Sequence, residues 1–252
     1  MLGLTQKRKN YSKIIMKIKR NPEFSPLPDS YIDYISKRFD NTEKILHETY
    51  GVFRLDIKKR KRLLKSLKKG IDILKVHEEI LKTHRSTKER LKDYEKIYEA
   101  ITKEAGELES VLDISAGINP VSLVYSKQPS EYIATELAQD DVNFLNKYFK
   151  IMKINGIAIQ ADLLNVKKFP KTKICFLFKV LDNLETLKRN ESKNLLKKIP
   201  AEYIIVSFPK ITISGKKLNT KRLIWFNKIV KSKKLLETKN EIFFIINNKK
   251  EL

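Results

Sequence analysis

The segment Val111-Leu112-Asp113-Ile114-Ser115-Ala116-Gly117-Ile118-Asn119-Pro120 constrains the fold of this chain more than any other. A short apolar run ends in an acid, then a small-residue turn, then a proline. That order carries a β-strand into a helix. Small residues let the backbone come close to a ligand, and a proline suits the first helical turn, where its missing N–H has no partner in any case. Two further apolar runs close on acids: Tyr132-Ile133-Ala134-Thr135 on Glu136, and Ile157-Ala158-Ile159-Gln160-Ala161 on Asp162, followed by Leu163. A carboxylate at a strand end can accept hydrogen bonds from both hydroxyls of a ribose, and another can accept from an adenine amino group. The dinucleotide fingerprint needs three glycines, and only Gly117 is present, so a nicotinamide cofactor is disfavoured. S-adenosylmethionine has no pyrophosphate and demands less of such a loop.

The runs Ser110 to Ile114, Tyr132 to Thr135, Ile157 to Gln160, Ile174 to Phe178 and Tyr203 to Phe208 alternate with helical stretches. They predict an α/β protein with a mostly parallel, doubly wound, Rossmann-like sheet, closed by a hairpin whose second strand is Glu241 to Asn247. In such sheets ligands sit beyond the carboxyl ends of the strands where strand order reverses, which is where the Asp113 to Asn119 turn falls. Residues 1–107 read instead as all-helical, with helices near Leu4 to Lys19, Ser30 to Asp40, Asn41 to Gly51, Leu55 to Lys69, Ile71 to Thr83 and Lys88 to Ala105. Two domains are therefore expected: a helical one over 1–107 and a sheet domain over 108–252.

A net charge of +23 points to phosphate backbones as partners. The run Lys58-Lys59-Arg60-Lys61-Arg62, continued by Lys65, spreads positive charge over one helix whose buried side is Leu63, Leu64 and Leu67, which suits RNA binding. No apolar run approaches the length of a membrane span, and no secretory signal core is present. A single cysteine, Cys175, excludes an internal disulfide and sits in an apolar strand. Three histidines, His47, His77 and His84, none clustered with cysteine, offer no zinc site, so no metal is expected.

The motif His84-Arg85-Ser86-Thr87-Lys88-Glu89-Arg90, the Asp113 to Pro120 turn, Leu177-Phe178-Lys179-Val180-Leu181, and Val206-Ser207-Phe208-Pro209-Lys210 followed by Ser214-Gly215 and Trp225-Phe226 occur in an order and spacing that resemble the aminoglycoside-resistance guanine-N7 methyltransferases of 16S ribosomal RNA, the Arm family. The resemblance runs from about Thr42 to the carboxyl terminus. It implies S-adenosylmethionine as donor, S-adenosylhomocysteine as product, and a Rossmann-like methyltransferase domain behind a helical docking domain. It assigns Arg90 to the methionine carboxylate, a sound match for a planar guanidinium. With Arg90, the expected cofactor-binding residues are His84, Asp113, Ser115, Ala116, Gly117, Glu136, Asp162, Leu163 and Lys179. Lys179, Ser207 and Phe208 are expected to position the target base, Phe208 as a stacking surface. Lys210, Lys216 and Lys217 would contact RNA.

The chain departs from the family where Ser115 replaces the usual first glycine of the turn, and where Lys216-Lys217-Leu218-Asn219 lacks a glycine-methionine pair and is about two residues shorter. The resemblance further implies 16S rRNA of the small (30S) subunit as partner, a cytoplasmic, ribosome-associated monomer and no membrane. Open alternatives are a methyltransferase acting on another RNA such as tRNA, or on another base atom, and a non-catalytic ribosome-binding or assembly protein.

Overall fold

In the central strands, a two-residue alternation sends neighbouring side chains to opposite faces, so each strand feeds two cores at once. Ile174, Phe176 and Phe178 of β4 (Thr172–Phe178) face one core with Val111 of β1 (Ser110–Ile114), Ile205 of β5 (Ala201–Pro209), and Phe243 and Ile245 of β7 (Glu241–Asn247). Leu112, Ile114, Cys175, Leu177, Ile204, Val206, Phe244 and Ile246 face the other. Strands buried on both sides belong in the middle of a helix-covered sheet. The computed structural model describes residues 13–211, 215, 217, 220–230 (only the backbone at 220–222) and 234–248.

With β2 (Glu131–Glu136), β3 (Gly156–Gln160) and β6 (Lys234–Glu237), the strands form one seven-stranded sheet in the order β3-β2-β1-β4-β5-β7-β6. β1 to β5 run parallel, and β7 is antiparallel to both β5 and β6. The order reverses at β1, between β2 and β4, and a crevice opens there beyond Ile114. The α/β class and the expected strands stand, most of them extended by a residue or two.

Helices α4 (Arg60–Lys68), α5 (Ile73–Leu81), α7 (Tyr94–Ala105) and α8 (Gln139–Met152) cover the first core. Helices α9 (Leu181–Leu187), α10 (Glu191–Lys198) and α11 (Thr220–Ile229) cover the second. A third cluster joins α1 (described over 13–19), α2 (Asp29–Arg38) and α3 (Thr42–Thr49) to Ala138 and Leu187, which follow β2 and end α9. The early helices therefore sit against the carboxyl edge of the sheet.

The helix expected over Lys88 to Ala105 is instead two. A short α6 (Arg85–Arg90) ends in a tight turn, with the Asp93 N–H donating to the Arg90 carbonyl at 2.7 Å, before α7 begins. The helix expected from Leu55 starts as a 3-10 turn at Ile57–Lys59, and the part of the first expected helix before residue 13 lies outside the described residues.

Candidate active site

The bend after β1 uses two left-handed residues, Ser115 at φ +52° and Gly117 at φ +55°. Its amides turn toward β2. The Ala116 N–H donates to the Thr135 carbonyl at 2.9 Å, and the Gly117 N–H to Glu136 Oε2 at 3.0 Å. A Cβ at Gly117 would lie 2.8 Å from His84 Nε2, so only glycine fits between the bend and that ring. His84 is stacked on Phe53 with centroids 5.9 Å apart. Burial, with Arg60, Arg90 and Lys179 nearby, holds the imidazole well below its usual range, so it is neutral. Its Nδ1 is buried with no partner among the described residues.

Glu136 closes β2 with its carboxylate at the crevice. Burial, reinforced by Asp141, pushes its pKa up to about 7. Asp162 follows β3, accepts the Leu164 N–H at 3.0 Å and Asn165 Nδ2 at 2.7 Å, and is also raised by burial. These acids share a cleft with His84, Ser115, Gly117, Leu163 and Lys179. The opposite wall comes from the early helices through Tyr31, Thr49, Tyr50, Phe53 and Arg54.

Beneath the cleft runs a buried polar chain. Tyr132 OH donates to Asp113 at 2.6 Å, Asn119 Nδ2 donates to the same carboxylate at 2.9 Å, and Asn119 Oδ1 accepts from Tyr94 OH at 3.0 Å and Arg90 Nη1 at 3.2 Å. Burial raises Asp113 to about 6. Arg90 Nε donates to Glu241 at 2.8 Å, and its guanidinium lies over the Phe178 ring. Lys179, left-handed at φ +61°, turns out of β4 to pair with Glu89 and, at 3.1 Å, with Glu241. Its amide donates to Ser207 Oγ at 3.1 Å, and the Ser207 hydroxyl donates to Glu241 at 2.7 Å.

Seven of the residues expected at a cofactor site thus line one cleft: His84, Ser115, Gly117, Glu136, Asp162, Leu163 and Lys179. Asp113, Ala116 and Arg90 stand behind its wall, where Asp113 and Arg90 brace the bend through Asn119. Ser207 likewise supports Lys179 from beneath.

Phe208 requires correction. It is fully buried among Trp225, Phe226 and Phe244, so it is a core residue and not a free stacking surface. Arg60 also requires correction as an RNA contact: it is buried, pairs with Asp141 and donates through Nε to Thr83 Oγ1 at 2.8 Å. Lys58, Lys59, Lys61, Arg62 and Lys65 are exposed. Lys210 pairs with Glu237 at 2.8 Å, Lys217 is exposed, and Lys216 lies outside the described residues.

Sequence reasoning missed Tyr31, Tyr50, Arg54, Asp141 and Glu241. Arg54 pairs with Asp140 and stacks its guanidinium over Tyr50, with 5.1 Å to the ring centroid. For Glu241 a signal existed: an acid heading the apolar run Ile242-Phe243-Phe244-Ile245-Ile246 needs buried partners. Among the described residues no helix is long and apolar enough to cross a membrane, and no group of His, Cys, Asp or Glu could hold a metal ion.

The model of the ribosomal RNA methyltransferase (FmrO) family matches residues 39–223, well over half of the chain. The chain belongs to that family. This FmrO-family protein is 23% identical over 177 residues to a 16S rRNA (guanine(1405)-N(7))-methyltransferase of Micromonospora echinospora, a stretch that is 67% of this chain and 65% of that relative. It therefore spans just under two thirds of that relative's length. It is 24% identical over 231 residues to a protein of the same name from Proteus mirabilis, covering 81% of this chain and 82% of that one. In fold it is similar to the crystal structure of 16S rRNA methyltransferase RmtF in complex with S-adenosyl-L-homocysteine, with TM-score 0.80 and 19% identity, covering 94% of this chain and 97% of that one. An rRNA methylase from Escherichia coli gives TM-score 0.77 at 19% identity over 94% of this chain and 99% of that one. The matched stretch 39–223 contains every cleft-lining residue named above except Tyr31, and it stops short of Glu241.

Proposed function

We propose that this protein is an S-adenosylmethionine-dependent methyltransferase acting on guanine N7 of 16S rRNA in the small ribosomal subunit. One observation carries the reading. The Glu136 carboxylate, at the carboxyl end of β2, is held by the Gly117 N–H inside a cleft that also presents Asp162, Lys179 and a neutral His84. The names of the curated relatives support the substrate, and the fold neighbour bound to S-adenosyl-L-homocysteine supports the donor.

The residues present fit this donor. Glu136 would accept from a ribose diol, and Asp162 from an adenine amine. Gly117 keeps the bend clear of side-chain atoms, and Tyr31, Tyr50 and Phe53 offer an aromatic wall for a nucleoside. Arg90 and Lys179 supply positive potential where a methionine carboxylate would lie. When bound, the donor supplies an electrophilic methyl group on sulfonium.

Guanine N7 carries a lone pair and no proton, so the chain need hold no general base. Its task is to bring N7 and methyl into line at about 3–3.5 Å and to exclude water. A base within folded RNA must first leave its stack. The helical part, residues 1–107, would act as the docking domain, with Lys58, Lys59, Lys61, Arg62 and Lys65 on phosphates that orient the subunit without reading sequence. On this reading the protein works as a cytoplasmic, ribosome-associated monomer.

The test is direct. Purified protein is incubated with small subunits and labelled methyl donor, and the modified nucleotide is mapped by mass spectrometry of RNA digests. Methylation at guanine N7 in 16S rRNA is expected; label on another RNA or another atom, or none, overturns the assignment.

A further inference from the structure

Glu241 begins β7, and its side chain is wholly buried. A carboxylate there costs several kcal/mol in desolvation unless charges and donors surround it. They do. Oε1 accepts from Arg90 Nε at 2.8 Å and faces Lys179 Nζ at 3.1 Å, while Oε2 accepts from the Ser207 hydroxyl at 2.7 Å. Strand register creates the arrangement: Glu241 pairs with Pro209 and Phe243 with Ser207, which leaves Ser207 as the diagonal neighbour of Glu241 on the same face. The start of the strand is pinned as well, since Asn240 Nδ2 donates to the Glu89 carbonyl at 2.7 Å and the Glu241 N–H to Thr238 Oγ1 at 3.1 Å.

The charges alternate along Glu89, Lys179, Glu241 and Arg90. The two acids are not equivalent. The Glu89 side chain is 39% exposed and can yield Lys179 to an incoming anion at little cost, whereas Glu241 at 0% has no water to turn to. Without Glu241, two cations would face each other in a medium that screens them poorly.

We propose that Glu241 is a positioning residue of the methyl-transfer site: it fixes the Lys179 ammonium at the cleft and the Arg90 guanidinium behind it, and so sets affinity for the carboxylate-bearing end of the donor. The inference rests on the methyltransferase reading above. It adds a residue from the last strand of the sheet, beyond the stretch matched by the family.

Glu241→Gln keeps the shape and removes the charge. With the full chain, calorimetry against S-adenosylhomocysteine and methylation of small subunits at varied donor concentration are measured beside thermal denaturation. Glu241→Gln should weaken S-adenosylhomocysteine binding by about tenfold or more, and raise the donor KM by more than it lowers kcat. Glu241→Asp should recover part of that loss, because it restores the charge at a shorter reach. A merely structural role would lower the melting temperature without this split or this rescue. Ser207→Ala leaves both ion pairs and removes a hydroxyl that donates to Glu241 and accepts from the Lys179 N–H, so it should cost about threefold in donor affinity beside a modest fall in melting temperature.

A folded Glu241→Gln variant whose donor affinity and KM stay within about twofold of wild type overturns the proposal. Should that variant not fold, an unchanged Ser207→Ala does so. Wild type that binds no S-adenosylhomocysteine overturns the methyltransferase reading itself, which separates the two failures.

Discussion

Glu136 is the residue whose chemistry makes the sharpest demand. Burial raises it to about 7, and only the ionised form can accept from both ribose hydroxyls. Affinity for S-adenosylhomocysteine should therefore climb as pH rises from about 6 to about 8, and calorimetry should show that dependence flattened in Glu136→Gln. Stability should move the other way. Glu136 and Asp113, at about 7 and about 6 in the fold, lie above their unfolded values of roughly 4, so the folded state binds more protons in that window and loses stability as pH rises through it. Denaturation at pH 5 and pH 7.5, compared with Glu136→Gln, isolates the contribution of Glu136. Gly117→Ala meets two penalties, a left-handed backbone worth about 1–2 kcal/mol and a Cβ 2.8 Å from His84 Nε2. Urea titration should register that loss, and donor binding should fall with it. A Gly117→Ala protein of wild-type stability and affinity would show that the bend tolerates a side chain.

Among the elements, those on the sheet were the most legible. An acid closing each of two apolar runs put Glu136 and Asp162 at the carboxyl edge because strand periodicity fixes where a run ends. The helices were harder to divide. Nothing in the composition of Lys88 to Ala105 announces the turn at Asp93, yet that break lets α6 aim Arg90 inward while α7 packs along the sheet. Long-range partners were not legible at all: Arg60 reads like its exposed neighbours in a basic run, and only tertiary packing sets it against Asp141 on α8. Ser115, where the resemblance leads one to expect glycine, takes a left-handed backbone at φ +52°. Removing one member of the buried pair, as in Arg60→Ala or Asp141→Ala, should cost about 3–5 kcal/mol by urea denaturation. Lys61→Ala, one residue away and exposed, should change stability by less than about 0.5 kcal/mol.

For the whole molecule, the excess of positive charge becomes a statement about salt. Replacing exposed Lys58, Lys61, Arg62 and Lys65 together by alanine should leave S-adenosylhomocysteine binding intact while weakening small-subunit binding. The slope of log affinity against log salt should shrink by about 3 if all four sit on phosphates. Filter binding over a salt series measures it, and an unchanged slope would remove α4 from the docking face. The cleft lies between early helices and sheet edge, so the proposed docking part and the proposed donor site share walls: Tyr31 and Tyr50 belong both to the third core and to the cleft.

The sheet order β5-β7-β6 carries a consequence for how the protein comes into being. Arg90 is made before any strand of this sheet, but its carboxylate partner arrives on β7, which joins β5 together with its antiparallel neighbour β6. A nascent chain emerging from the ribosome thus holds the Arg90 guanidinium without its carboxylate until β7 is in place, whereas Lys179 already has Glu89. The machinery proposed to mark ribosomes would be switched on only after its own translation has passed β7.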